Sequence, residues 1–193
     1  MEPSPPDLSL LPPNWHGVTA PPLEIDVGCH KGRFLVEMAR LYPGHNFLGV
    51  ELQSERVERT RKKIRTLALT NADVVRAEGE EAMRALPTSC ADGIHVLFPD
   101  PWPKRRHHVR RLVQAEFLRD CARVLKPGGL LRLVTDDAPY AAAMKEVADG
   151  CPGFCRGVDE RTYPLTEFQK KFLTDARPVY TLVLRRADSS NSV

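Results

Sequence analysis

The stretch LEIDVGCHKGRFLVEMARLYPGHNFLGVE, residues 23–51, decides the architecture. It opens with a short apolar run, Leu23–Val27, crosses a glycine-bearing turn, continues as an amphipathic helix-like segment over 32–41, and returns to a second apolar run, Asn46–Val50. A run too short for a helix, a helical period and a second short run together describe a β-α-β unit, whose strands lie parallel with the helix packed across them.

Downstream the alternation persists. A charged helix-like segment over 54–68 leads to the run Ala72–Ala77, a helical 79–85, the run Gly93–Phe98, a helix-like 111–125, the run Leu130–Thr135 and a helix-like 138–148. The last strand candidate, Val179–Arg185, follows Pro178 and a long irregular stretch from about residue 150. This order predicts a single α/β domain over residues 23–186, doubly wound and Rossmann-like, with a mostly parallel sheet covered on both faces and an antiparallel C-terminal strand. Upstream, residues 1–22 carry Pro3, Pro5, Pro6, Pro12, Pro13, Pro21 and Pro22, whose missing amide donors and restricted φ predict an extended arm. Residues 187–193 read as a polar tail.

At 193 residues, 42% of them hydrophobic, the chain fits one domain with a real core. No apolar run approaches the roughly 20 residues needed to cross a bilayer, and the proline-rich start lacks the pattern of a secretion signal, so a cytoplasmic protein is expected. The five cysteines are scattered and form no Cys-x-x-Cys pair, which reads as reduced thiols and no metal site. A net charge of +3 is too mild to identify a partner, but its distribution is not: Lys104–Arg111 packs five permanent cations and two histidines into eight residues.

In doubly wound sheets a ligand binds beyond the carboxyl ends of the strands, where strand order reverses. The first run ends in Asp26-Val27-Gly28-Cys29-His30-Lys31-Gly32, whose glycines permit close approach of a ligand to the backbone. His30 stands where a dinucleotide-binding turn has its middle glycine, so no pyrophosphate cradle is formed, and the turn alone fits a plain tight turn as well as a ligand site. The second run ends in Glu51, 25 residues beyond Asp26, suited to accept both hydroxyls of a ribose. The third ends in Glu78-Gly79, placed to meet an adenine edge. Each acid singly also fits a solvated loop, but three in register favour S-adenosylmethionine, which carries an amino group, a ribose and a sulfonium and no phosphate.

The fourth run leads into Phe98-Pro99-Asp100-Pro101-Trp102-Pro103-Lys104. A residue before proline is pushed out of the α region, which predicts Phe98, Asp100 and Trp102 held extended and Asp100 presented on a stiff loop. The basic segment that follows runs toward the helix expected near 111, where cations oppose the macrodipole, so a phosphate backbone explains them better than local structure does.

With these segments in view, FPDPWPKRRHHVRRLVQ (98–114), LKPGGLLRLVTDDAPY (125–140) and TEF (166–168), the sequence resembles the bacterial tRNA (guanine-N7)-methyltransferase family over about residues 22–186. The resemblance implies a Rossmann-like methyltransferase that uses S-adenosylmethionine on a guanine of the tRNA variable loop. It implies cofactor binding by Asp26, Gly28, Glu51, Glu78 and Asp100, substrate binding by Lys104, Asp136, Thr166 and Gln169, and RNA contact by Arg106, His107, Arg110 and Arg111. Asp100 and Asp136 are its catalytic candidates. Two departures stand out: His30 occupies a position where the family usually has glycine, and the family's Thr-x-x-Glu reads Thr166-Glu167-Phe168-Gln169, where Gln169 can hydrogen-bond a base edge but carries no charge. Asp137, just ahead of Ala138-Pro139, is predicted to cap a helix rather than bind a ligand.

No motif asks for an obligatory protein partner, and the chain reads as a monomer or homodimer. Two alternatives stay open at this level. A methyltransferase for a different nitrogen substrate needs no basic segment, and a non-catalytic tRNA-binding protein binds without transferring methyl.

Overall fold

The computed structural model describes residues 11–12, 14–15, 19–165 and 177–187. Within them the chain runs β1 (Leu23–Val27), α1 (Arg33–Leu41), β2 (Asn46–Glu51), α2 (Ser54–Thr66), β3 (Ala72–Arg76), α3 (Gly79–Ala85), β4 (Ala91–Leu97), a 3-10 turn (Arg105–Arg110), α4 (Ala115–Val124), β5 (Leu125–Thr135), α5 (Ala138–Asp149), β6 (Phe154–Arg156) and β7 (Tyr180–Arg186). The strands form one sheet in the order β3-β2-β1-β4-β5-β7-β6. β1 to β5 are mutually parallel, and β7 runs antiparallel to β5 with Leu130 opposite Arg185 and Thr135 opposite Tyr180, as the sequence predicts.

Every residue of β1 and β2 is buried, including the polar Glu24, Asp26, Asn46 and Glu51, as befits central strands covered on both faces. On one face Ile25, Ile94, Leu131 and Leu133 pack against Met83 of α3, Phe117 and Leu118 of α4 and Tyr140 of α5. On the other, Phe47 and Val74 meet Phe34, Leu35 and Met38 of α1 and Val57 and Ile64 of α2. At about 25 cal/mol per Å² of apolar surface removed from water, these two layers are the main source of stability.

Several expectations change. The helix predicted from 111 begins at Ala115, because Arg111 (ψ 133) and Gln114 (φ −122, ψ 168) are extended. The basic segment forms its own 3-10 turn instead, separate from α4. β5 starts at Leu125 rather than 130: the Pro127-Gly128-Gly129 break is absorbed by a register shift against β4, with Gly128 at φ +75. β6 lies in a stretch read as irregular; at three residues it is too short to show a period. The proline-rich stretch is not wholly outside the packed unit, since Leu11 and Trp15, each 4% exposed, join the core of β1 and β4. Two large apolar side chains there outweigh the proline signal.

Candidate active site

From β1 the chain proceeds outward to β2 and β3, and from β4 to β5 on the other side, so the order reverses between β1 and β4. Their carboxyl ends open a cleft of about 650 Å³ lined by Asp26, Gly28, Glu51, Glu78, Asp100 and Trp102, among others. Every cofactor-binding residue expected from the sequence therefore meets in one place. Lys104 and Asp136 do not line it; Asp136 stands half-buried at the tip of β5 and Lys104 is exposed ahead of the 3-10 turn. Thr166 and Gln169 lie outside the described residues.

The β1–α1 turn is tied to the end of β2 by the amides of Gly28 and Cys29, which donate to Val50 O at 2.8 and 2.9 Å. Gly28, His30 and Gly32 all take positive φ, at +78, +52 and +64. Gly28 has open space around a would-be Cβ and faces the cleft, whereas a Cβ on Gly32 would lie 2.3 Å from Thr60 Cγ2 of α2. Gly28 thus leaves its backbone open to the cleft, whereas Gly32 lets α2 pack closely on the turn. His30 tolerates the left-handed conformation and keeps its place in the lining.

Asp26 and Glu51 are 4% and 5% exposed. Glu51 Oε1 accepts from Gln53 N at 2.9 Å, while Asp26 Oδ2 is buried with no hydrogen-bond partner among the described residues. Burial, and then the neighbouring Glu51, push the Asp26 carboxyl up to about 7. Two inward carboxylates, one unsatisfied, form a site that asks for a cation or hydrogen-bond donors from a ligand. That chemistry fits the amino group and ribose hydroxyls of S-adenosylmethionine. Among the described residues no group of three or more His, Cys, Asp or Glu is placed to hold a metal ion.

On the facing rim, the expectation of extended residues before the prolines fails at two positions: Phe98 has φ +54 and Trp102 φ +45. Phe98 N still donates to Val134 O at 2.8 Å, so the chain must turn sharply directly after leaving the sheet, and the left-handed region supplies that turn. It leaves Asp100 exposed and Trp102 half-buried on the cleft wall. Around Trp102 gather the Arg110 guanidinium, 5.1 Å from the ring centroid, and the His107 ring, edge-on at 5.8 Å. Arg106 is exposed and donates Nε to His107 Nε2 at 3.2 Å. Arg111 departs from the expected RNA-contacting set: it is 5% exposed, donates Nε to Pro101 O at 2.8 Å, and lays its guanidinium 4.7 Å from the Tyr140 ring. It turns inward because the backbone extends between the 3-10 turn and α4. Asp137 does cap α5, accepting from Tyr140 N at 2.7 Å.

Sequence reasoning missed Phe34 and Leu112 in the lining, both read as ordinary apolar helix-pattern residues. It also missed a cluster of Glu24, His95 and Arg161, whose members lie 71 and 137 positions apart and leave no local signal.

A family model described as a putative methyltransferase matches residues 20–182. The tRNA (guanine-N(7)-)-methyltransferase of Nitrosospira multiformis is 35% identical over 173 residues, covering 86% of this chain and 75% of that protein. Its counterpart in Bordetella pertussis is 38% identical over 175 residues, covering 86% and 68%. Among solved structures, the 16S rRNA methyltransferase KamB superposes with a TM-score of 0.65 at 20% identity, covering 86% of this chain and 88% of that one. The aminoglycoside resistance methyltransferase NpmB1 gives 0.60 at 24%, covering 86% and 87%. These two likenesses bear on the fold alone.

Proposed function

The chain belongs to the family of the tRNA (guanine-N(7)-)-methyltransferases, and from its site we propose that it carries a methyl group from S-adenosylmethionine to N7 of a guanine in the tRNA variable loop. The observation that carries this reading is the Asp26–Glu51 carboxylate pair beside Gly28, facing a rim where Trp102 and Arg110 meet. Asp26 holds the cofactor's amino group, Glu51 offers the ribose hydroxyls the oxygen not engaged by Gln53 N, and Glu78 meets the adenine edge. Bound there, S-adenosylmethionine supplies an electrophilic methyl on a sulfonium.

Guanine N7 carries an available lone pair, so no residue has to remove a proton before attack. Catalysis by this chain is then positioning and electrostatics. Asp100 orients the base at the cleft mouth, and Asp136, at the adjacent strand tip, favours the positive charge that grows on the purine. Lys104, Thr166 and Gln169 complete the substrate contacts. Arg106, His107 and Arg110 hold phosphates and set the register of the RNA. N7 lies on the major-groove edge, so paired guanine exposes it without losing its base pair.

Purified protein with methyl-labelled cofactor and unmodified total tRNA should yield labelled 7-methylguanosine on nucleoside analysis. Label in another nucleoside, or none, overturns the reading. Asp100→Asn should lower turnover by about 100-fold, as loss of a transition-state contact does, while tRNA affinity stays within about threefold. Unchanged turnover removes Asp100 from its role.

A further inference from the structure

Behind the cleft wall lies a polar cluster, centred on the buried Glu24, whose members do not line the cleft. Glu24 sits on β1 two residues before Asp26, on the same face of the sheet, and is 1% exposed. Its Oε2 accepts from Nε2 of His95, the residue opposite Asp26 on β4, at 2.7 Å. Its Oε1 lies 2.9 Å from His45 Nδ1 and accepts from Arg161 Nη1 at 2.8 Å. Arg161 comes from the connection between β6 and β7. The rest of its guanidinium donates to Asp159, Nε to Oδ1 and Nη2 to Oδ2, each at 3.2 Å, and Nη2 also to Tyr163 OH at 2.7 Å. Tyr163 OH in turn donates to Asp159. The Tyr163 ring stacks on Phe34, with centroids 6.2 Å apart and planes at 22°, and Phe34 lines the cleft. Tyr42 OH, at the cap that ends α1, donates to Thr162 O at 2.8 Å, a further tie to the same connection.

A carboxylate inside a sheet costs desolvation that an apolar side chain would avoid, so its worth lies in what it holds. Here it holds one arginine whose planar fork reaches two carboxylates at once. We propose that Arg161 is a positioning residue for the reaction on tRNA: bridging Glu24 and Asp159, it pins residues 158–165 against the Phe34 wall and so sets where the chain leading to Thr166 begins. The inference rests on the reading that the enzyme methylates tRNA guanine and that Thr166 serves the substrate.

The test compares wild type with Arg161→Lys and Arg161→Met. The Met variant should raise KM for tRNA about tenfold, the scale of losing a charge-assisted pair, and the Lys variant, able to reach one carboxylate, should fall between. The dissociation constant for S-adenosylmethionine should stay within about threefold in both, since Phe34 remains packed in α1. Hydrogen exchange across residues 157–165 should accelerate in the same order, a readout independent of activity. Equal KM in all three proteins, or unaltered exchange in 157–165, overturns the proposal. A parallel loss of cofactor affinity also overturns it, marking Arg161 as merely structural. If the Met variant does not fold, the Lys variant and wild type carry the same comparison. Failure of the wild type to form 7-methylguanosine while exchange follows the predicted order refutes the assigned function and leaves the pinning intact.

Discussion

Asp26 is the carboxyl of the cleft whose Oδ2 is buried with no hydrogen-bond partner among the described residues. Folding moves its carboxyl from an ordinary 3.8 to about 7, first by burial and then through Glu51. The folded state therefore holds this proton more tightly than the unfolded chain, and the ligand-free protein loses stability as pH rises from about 4 to about 7. The same ionisation creates the negative charge that a cationic ligand needs. S-adenosylmethionine should accordingly bind several-fold more tightly at pH 8 than at pH 6, measured by calorimetry, and Asp26→Asn should flatten that dependence. Without cofactor, the Asn variant should melt higher than wild type at pH 8, because it removes a buried charge whose Oδ2 has no hydrogen-bond partner among the described residues. A variant with wild-type pH dependence of cofactor affinity would show that Asp26 does not meet the cofactor's charge.

The 3-10 turn and the extended residues after it sort neighbouring arginines into two jobs. Arg110 lies exposed over Trp102 on the cleft rim, whereas Arg111 is buried against Tyr140 and the Pro101 carbonyl. Arg110→Ala should leave the melting temperature almost unchanged, weaken tRNA binding, and reduce the slope of log affinity against log salt by about 1. Arg111→Ala should destabilise the fold by about 2–4 kcal/mol, since it removes a buried, stacked and hydrogen-bonded cation from beneath the loop. Reversal of those two outcomes in melting and filter-binding measurements would overturn the division. The sequence places both residues in one cationic run, and only the switch from a 3-10 turn to extended backbone at Arg111 separates them. The β1–α1 turn behaves differently. Its glycines announce the turn, because left-handed backbone is a local property.

Across the whole molecule, Glu24 joins strands β1 and β4, the loop before β2 and the β6–β7 connection. Burial alone would raise its carboxyl, but the His95 hydrogen bond and the charges around it outweigh that and hold it down to about 2. Its contribution to stability is present above the unfolded value near 4.5 and drains away as pH falls toward 2. Glu24→Gln should be less stable than wild type at pH 7, with a flatter fall in melting temperature between pH 4.5 and 2.5. An acid limb as steep as wild type would place the linkage on another group. The doubly wound α/β class, the antiparallel last strand and the convergence of Asp26, Glu51, Glu78 and Asp100 on one edge follow from the sequence itself, because the alternation of strand and helix patterns is local and parallel topology brings the tips of β1 to β5 to the same side. The inward turn of Arg111, the left-handed Phe98 and Trp102, the burial of Leu11 and Trp15, and the grip of Glu24 on Arg161 belong to the tertiary structure alone. Each depends on a contact between residues that folding alone brings together, and no local pattern encodes a partner across the chain.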